Sequence, residues 1–332
     1  MADPGADAVA DAERWFRTRG LSYFVPDVRT AVRDGLRPRR VVPSVVTVVV
    51  VSLVLAALVV WVIDEPSAAP AVIGSVVGAG ALLYALTTLQ ARPIVSWAIG
   101  RTFGSLRLLV PMASRALPLL LVFVTFLFIN AEAWQMTANL KPGILWTVVL
   151  LLTALAVLFL LVRLPEEVDR VDDAVDAAFV VRATRGTPLE QPARDLVDRG
   201  RDPSVHAEVA GYDRWNLILV LLVVQIGQVV LLAVTVFVFF LVFGALVMTT
   251  TVQNSWTQLP GGIDSFSFLP TVSYELLKVS LFLSAFSGLY FTVSAVTDDT
   301  YRSQFFAAVT EELERAVGMR AVYLALRAEL DR

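Results

Sequence analysis

The sequence predicts an all-α membrane protein, a polytopic bundle of about six transmembrane helices with amphipathic helices on its cytoplasmic side. Three observations predict it. Of 332 residues, 57% are hydrophobic and 17% charged, with a mean hydropathy of +0.70; soluble domains are nearer 45–50% apolar and about 25% charged. The apolar residues gather into six runs of about 20, enough to cross about 30 Å of hydrocarbon. Arginine, which with two lysines makes up the 27 basic residues, falls only in alternate connections between those runs.

The segment 1–40 is polar and lacks the basic start, apolar core and cleavage site of a secretory signal. The first apolar run is therefore expected to remain as an anchor. Trp15, Phe16, Tyr23 and Phe24 lie among Arg14, Arg17 and Arg19, a mixture suited to an amphipathic helix at the membrane–water interface.

The first four spans are expected at 42–63, 71–89, 116–134 and 144–162. The second carries Ala71, Gly74, Gly78, Ala81 and Ala85 on one face. Small residues let helices approach closely in lipid, so Gly74 and Gly78 are read as a packing seam inside the bundle, with a dimer face as the alternative. The connection 92–115 has Arg92, Arg101, Arg107 and Arg115 between apolar residues, with Pro93 and Pro111. It reads as an interfacial helix. The third span is the weakest, since only 116–129 is uninterrupted.

The insertion 163–215 alternates acidic, apolar and turn residues and is too short for a core of its own. It is expected to pack on neighbouring cytoplasmic helices. The fifth span, 216–249, contains an apolar run over 217–248 broken mainly by Gln225, Gln228 and Thr235. At 1.5 Å per residue that run measures about 48 Å, so the helix must tilt, kink or project. The sixth span, 271–296, has Ser273, Ser280, Ser287 and Ser294 at intervals of seven, with Ser284 between. Ser280 and Ser287 join the expected packing seam. The tail 298–332 repeats apolar residues at helical spacing: Phe306, Val309, Leu313, Val317, Val322 and Leu326.

The resulting organisation is a cytoplasmic amphipathic segment at 1–40, four spans within 41–162 and a cytoplasmic insertion at 163–215. Two more spans follow within 216–297, with an outer loop at 250–270, and then a cytoplasmic helix at 298–332. The expected outer loops 64–70, 135–143 and 250–270 hold one basic residue, Lys141. The asymmetry places both termini in the cytoplasm and the chain in a plasma membrane. The preference for arginine over lysine, with abundant Ala and Val, matches coding by a GC-rich bacterial genome, hence a cell inner membrane.

Several function classes are disfavoured. The absence of cysteine removes disulfides, thiolate chemistry and most structural zinc sites. His206 is the one histidine, and there is no Gly-rich phosphate loop or HExxH pattern. A serine nucleophile needs an adjacent base. The expectation is a protein that is not an enzyme and has no cofactor or metal. Its partners are the lipid bilayer and either a second copy or another membrane subunit, with no role for nucleic acid.

Helical rise, applied to the expected span boundaries, puts Asn130, Glu132, Gln228, Glu275 and Lys278 in one layer in the outer half of the membrane. Lys278 is expected to be neutralised by Glu275 or Glu132. Such a layer favours a channel or a permease for an ion or small solute. The alternative is a non-transporting scaffold or signalling subunit acting through its cytoplasmic helices. A continuous hydrated path through the bundle supports the first, a dry closed core the second.

Overall fold

The computed structural model describes residues 4–104, 121–266, 269–297 and 299–330. These residues form a helical bundle with one two-stranded hairpin. Among the described residues five helices are long and apolar enough to cross a membrane, six if a bent pair counts as one span. The protein is an integral membrane protein by that composition.

The chain opens with α1 (Pro4–Thr18) and α2 (Pro26–Gly35), then enters the apolar hairpin α3 (Pro38–Ile63) and α4 (Ala69–Thr87). Proline begins α2 and α3, where the first turn needs no amide donor. Helix α5 (Arg92–Gly104) follows. Residues 105–120 lie outside the described part, and with them Arg107, Pro111, Arg115 and the start of the third span. That span does not continue straight. Its described part, α6 (Leu121–Phe128), is bent by 70° from α7 (Ala131–Ala138). Asn130 makes the break. It is extended, and its side-chain oxygen accepts hydrogen bonds from the amides of Glu132 and Ala133, capping α7.

Helix α8 (Pro142–Asp172) runs on for 31 residues, well past the expected end of the fourth span. The insertion forms α9 (Ala177–Ala183) and α10 (Glu190–Asp198). Helix α11 (Gly211–Val247) is unbroken over 37 residues, about 55 Å. Then come α12 (Thr250–Thr257), the antiparallel strands β1 (Ser265–Phe266) and β2 (Leu269–Ser273), α13 (Tyr274–Thr297) and α14 (Asp299–Leu330).

Two apolar cores sit at opposite ends of α11. At the arginine-rich end, Phe16, Phe24 and Val25 pack with Leu164 and Val168 of α8, Phe179 of α9, Leu196 of α10, Leu217 of α11 and Val317 and Tyr323 of α14. Segments far apart in sequence thus share one core, and 163–215 packs onto neighbours as its length demands. Leu313, Val317, Val322 and Leu326 of the expected stripe on the tail are buried there. The side chains of Phe306 and Val309 lie outside the described residues.

At the other end, Phe128, Trp134, Val236, Phe240, Met248 and Leu276 form the second core. The aromatic side of the far end of α11 is covered by α6, α7, α12 and α13. Gly244 allows this: a Cβ there would stand 2.3 Å from Leu276 and 3.0 Å from Phe128. At Gly143, by contrast, a Cβ would strike backbone, 2.5 Å from Ala68 Cα, so α8 docks directly on the turn between α3 and α4.

Candidate functional site

The densest polar chemistry lies where α11 enters the arginine-rich core. Asp213, in the first turn of α11, is 3% exposed. It receives Arg320 of α14 at 2.8 Å and Arg29 of α2 at 3.3 Å. Arg320 also donates to the carbonyls of His206 and Glu208, and Arg29 to those of Tyr23 and Phe24. One turn on, Asn216 is fully buried. Its oxygen accepts from the Tyr23 amide at 2.7 Å and its nitrogen donates to the Gly20 carbonyl at 2.8 Å. Both ends of its amide are used on the turn between α1 and α2.

Two tyrosines complete this joint. The Tyr23 hydroxyl donates to the Leu89 carbonyl, and the Tyr323 hydroxyl donates to Glu13 at 2.7 Å. Burial pushes the Tyr23 hydroxyl up to about 12. Burial, then the Glu13 carboxylate, pushes Tyr323 up to about 12 as well. Asp172, at the foot of α8, is raised mainly by burial, opposed by the hydrogen bond it accepts from the Val209 amide. Sequence reasoning did not single out Asp213, Asn216 or Arg320. A signal existed for the first two: polar residues three apart just before an apolar run, on the face that continues it. Nothing marks Arg320 among the other arginines.

The expected polar layer is not brought together. Gly244 of α11 meets Leu276 of α13, and Gly288 of α13 meets Val229 of α11, so the helices run antiparallel. Glu275 is thus level with the end of α11. Gln228 lies sixteen residues back from Gly244, about 24 Å lower by the helical rise. The depth estimate failed because α11 spends its first turns inside the arginine-rich core. Asn130 and Glu132 are exposed at the start of α7. Lys278 forms no ion pair with Glu275 or Glu132; it donates to the Ala138 carbonyl at 2.9 Å. That carbonyl is in the last turn of α7, where backbone acceptors lack helical partners and the dipole favours a cation.

The expected packing seam divides. Gly74 packs on Leu150 of α8, where a Cβ would stand 3.2 Å away, but nothing lies within 4 Å of one at Gly78. Among the described residues nothing packs on Gly78; the close contact between α3 and α4 is made by Gly80 on Val48. Ser280 and Ser287 of α13 are fully buried. The Ser287 hydroxyl donates to Leu283 and that of Ser284 to Leu281, within their own helix. Hydroxyls bonded in this way let helices pack closely.

Some buried polar atoms within the bundle have no partner among the described residues. They are both amide atoms of Gln225, Oε1 of Gln228, Oε2 of Glu275 and the Ser280 hydroxyl. Gln225 is fully buried. Among the described residues no three His, Asp or Glu side chains converge as a metal site requires.

Comparison with known proteins yields no family, curated relative or solved structure that matches this chain.

Proposed function

We propose that this chain is a non-transporting membrane scaffold or signalling subunit that acts through the helical domain at its arginine-rich end. The observation that carries the reading is continuity. Helices α8 and α11 run unbroken from the apolar bundle into the core of that domain, and α14 follows α13 into it. Between α11 and α13, Val236, Phe240, Leu283 and Ser287 are at most 1% exposed, which supports a filled contact between these two helices. The buried Asp213–Arg320 pair ties the foot of α11 to α14, so a rotation of the spans would be passed to the domain as a rigid movement.

The test is flux through proteoliposomes containing the full chain. Ion conductance and solute uptake are expected at the level of empty vesicles. Saturable uptake or discrete conductance steps would overturn the reading.

The same proposal places the arginine-rich domain in the cytoplasm, on the bias of basic residues alone. With an impermeant maleimide on intact cells, Ser67→Cys should react, and Glu190→Cys only after permeabilisation. The opposite pattern reverses the orientation.

A second reading, a permease, has one observation in its favour. The unpartnered amide of Gln225 sits inside a span, and polar groups left in an apolar interior are costly unless used. Under that reading Gln225→Leu abolishes uptake by wild-type vesicles. Under the scaffold reading there is no uptake to abolish.

A further inference from the structure

The α3–α4 hairpin carries a groove of about 300 Å³ along one side. Val41, Ser44, Val45 and Val48 form one bank, and Gly80 and Tyr84 belong to the other. The banks cannot fill it themselves. On α4 the side chains are small: a Cβ at Gly80 would stand 2.6 Å from Val48, and Ala81 next to it is exposed. On α3 the valines are stiff at χ1 and do not swing across. Two hydroxyls border the groove, and both are already used. That of Ser44 donates to the Arg40 carbonyl at 2.9 Å, and that of Tyr84 to the Gly35 carbonyl at 2.6 Å. An occupant is therefore offered apolar contact.

The Tyr84 bond marks the arginine-rich end of the groove, because Gly35 closes α2 there. At that end α3 opens with Arg39 and Arg40. Both are exposed, and among the described residues neither side chain has an ion-pair or hydrogen-bond partner. Arg40 stands one helical turn before Ser44, on the same side of α3, with Arg39 next to it. Arg37 is paired with Asp34 at 3.0 Å, so the spare charge is that of Arg39 and Arg40.

We infer that this groove holds an acyl chain of one anionic phospholipid whose phosphate sits at Arg39 and Arg40. The inference holds whether the protein is a scaffold or a permease.

Three features point to that occupant. The first is charge complementarity. Two unpaired guanidinium groups stand where the apolar part of α3 begins, the level at which a bilayer presents its phosphates, and a guanidinium fork matches a phosphate at two points. The second is spacing. Val48 lies eight residues beyond Arg40, about 12 Å along the helix. Charged mouth and apolar groove thus follow one another in the order of a headgroup and the first part of its chain. The third is that only a lipid uses both. A soluble anion would take the arginines and leave the groove empty. An apolar helix of a second copy would fill the groove and leave two cations unmatched at its end.

Native mass spectrometry of the full chain in detergent, titrated with phosphatidylglycerol or phosphatidylcholine, tests this directly. Wild type is expected to retain one phosphatidylglycerol per chain and to prefer it to phosphatidylcholine by about tenfold or more, as two arginines among headgroups imply. Arg39→Gln with Arg40→Gln should abolish the preference. Ala81→Phe puts a ring into the groove and leaves both arginines in place. It should lower phosphatidylglycerol retention severalfold, whereas attraction to the arginines alone predicts no change, and this variant decides the matter if the double variant fails to fold. Equal retention of the two lipids by wild type would overturn the inference. So would an unchanged preference in a folded double variant, or full retention by Ala81→Phe. Full displacement of the lipid by millimolar inorganic phosphate would reassign the arginines to a free anion, and a lipid-free dimer would give the groove to a second copy.

Discussion

The α3–α4 hairpin and the α8–α11–α13 group lie in the same apolar bundle yet are built on opposite rules. In the best apolar window of α3 only 11% of residues are buried within the protein, and in that of α4 6%; in α13 the share is 44%. Valine and leucine make up 15 of the 26 residues of helix α3, and most of its valines stay exposed, Val54 at 60%. Helix α13 carries Ser280, Ser284, Ser287 and Thr292, and all four are buried. In water this would be inverted. In lipid there is no hydrophobic drive between helices, so close packing and hydroxyls decide which helix goes inside. Apolarity alone does not set the order: α11 is as apolar as α3 and twice as buried, and α4, the most peripheral of the five, is less apolar than either. The hairpin is held at its two ends, by Gly143 against Ala68 at one and by the Tyr84 hydroxyl on the Gly35 carbonyl at the other.

This contrast can be broken first at its strongest point. Asp213→Ala removes the only carboxylate that pairs with Arg320 and Arg29 among the described residues, at the foot of the central group, and leaves a buried cation. The expected loss is about 3–5 kcal/mol, read as a large fall in melting temperature in detergent. A loss below about 1 kcal/mol would mean that the joint is solvated and the domain only loosely attached to α11.

The next largest effect compares two glycines. Gly143→Leu must displace the backbone at Ala68 and should cost about 1–3 kcal/mol. Gly78→Leu points into open space and should change melting by no more than about 0.5 kcal/mol. A strong effect at Gly78 in a chain that elutes as an oligomer would show that another copy covers α4.

A smaller change of opposite sign is expected at Gln225→Leu. It replaces a buried, unpartnered amide by an apolar side chain of similar size and should stabilise by about 1 kcal/mol. Destabilisation would show that Gln225 has a polar partner.

A last effect is confined to alkaline pH. Tyr23 and Tyr323 are pushed up to about 12 in the folded protein, from about 10 in unfolded chains. A raised value means that the unfolded state loses its proton first. The stability held below about pH 10 should therefore decline between about pH 10 and 12. Phenolate absorbance at 295 nm should lag in wild type relative to Tyr23→Phe with Tyr323→Phe in a subtractive titration. If the two hydroxyls titrate near 10, the joint is open to water.

Much of the bundle was legible in the sequence, because length and apolarity are properties of a segment by itself. The arrangement was less so, and the reasons are specific. The break in the third span hangs on Asn130, whose side chain offers the backbone a cap that competes with a continuing helix. Lys278 was matched with carboxylates because those are visible in a sequence. Its partner, the Ala138 carbonyl, exists only once α7 ends there. Gln228 was placed too high because nothing local tells where α11 leaves one environment for another. That depends on Tyr23 and Gly20, almost two hundred positions away.

The arginine-rich core also imposes an order on biogenesis. Phe16 of α1 packs edge-on against Tyr323 of α14 at 5.4 Å, and Glu13 accepts the hydroxyl of the same tyrosine. A ribosome makes α1 before the spans and α14 after them. At about 5–20 residues per second the wait between Phe16 and Tyr323 is about 15–60 s. During that interval Phe16 has Phe24 beside it, edge-on at 5.2 Å, but lacks the tyrosine that completes the cluster. The membrane surface beside the translocon, with its headgroups and acyl boundary, is the nearest place for Trp15 and Phe16 to rest until the last helix emerges.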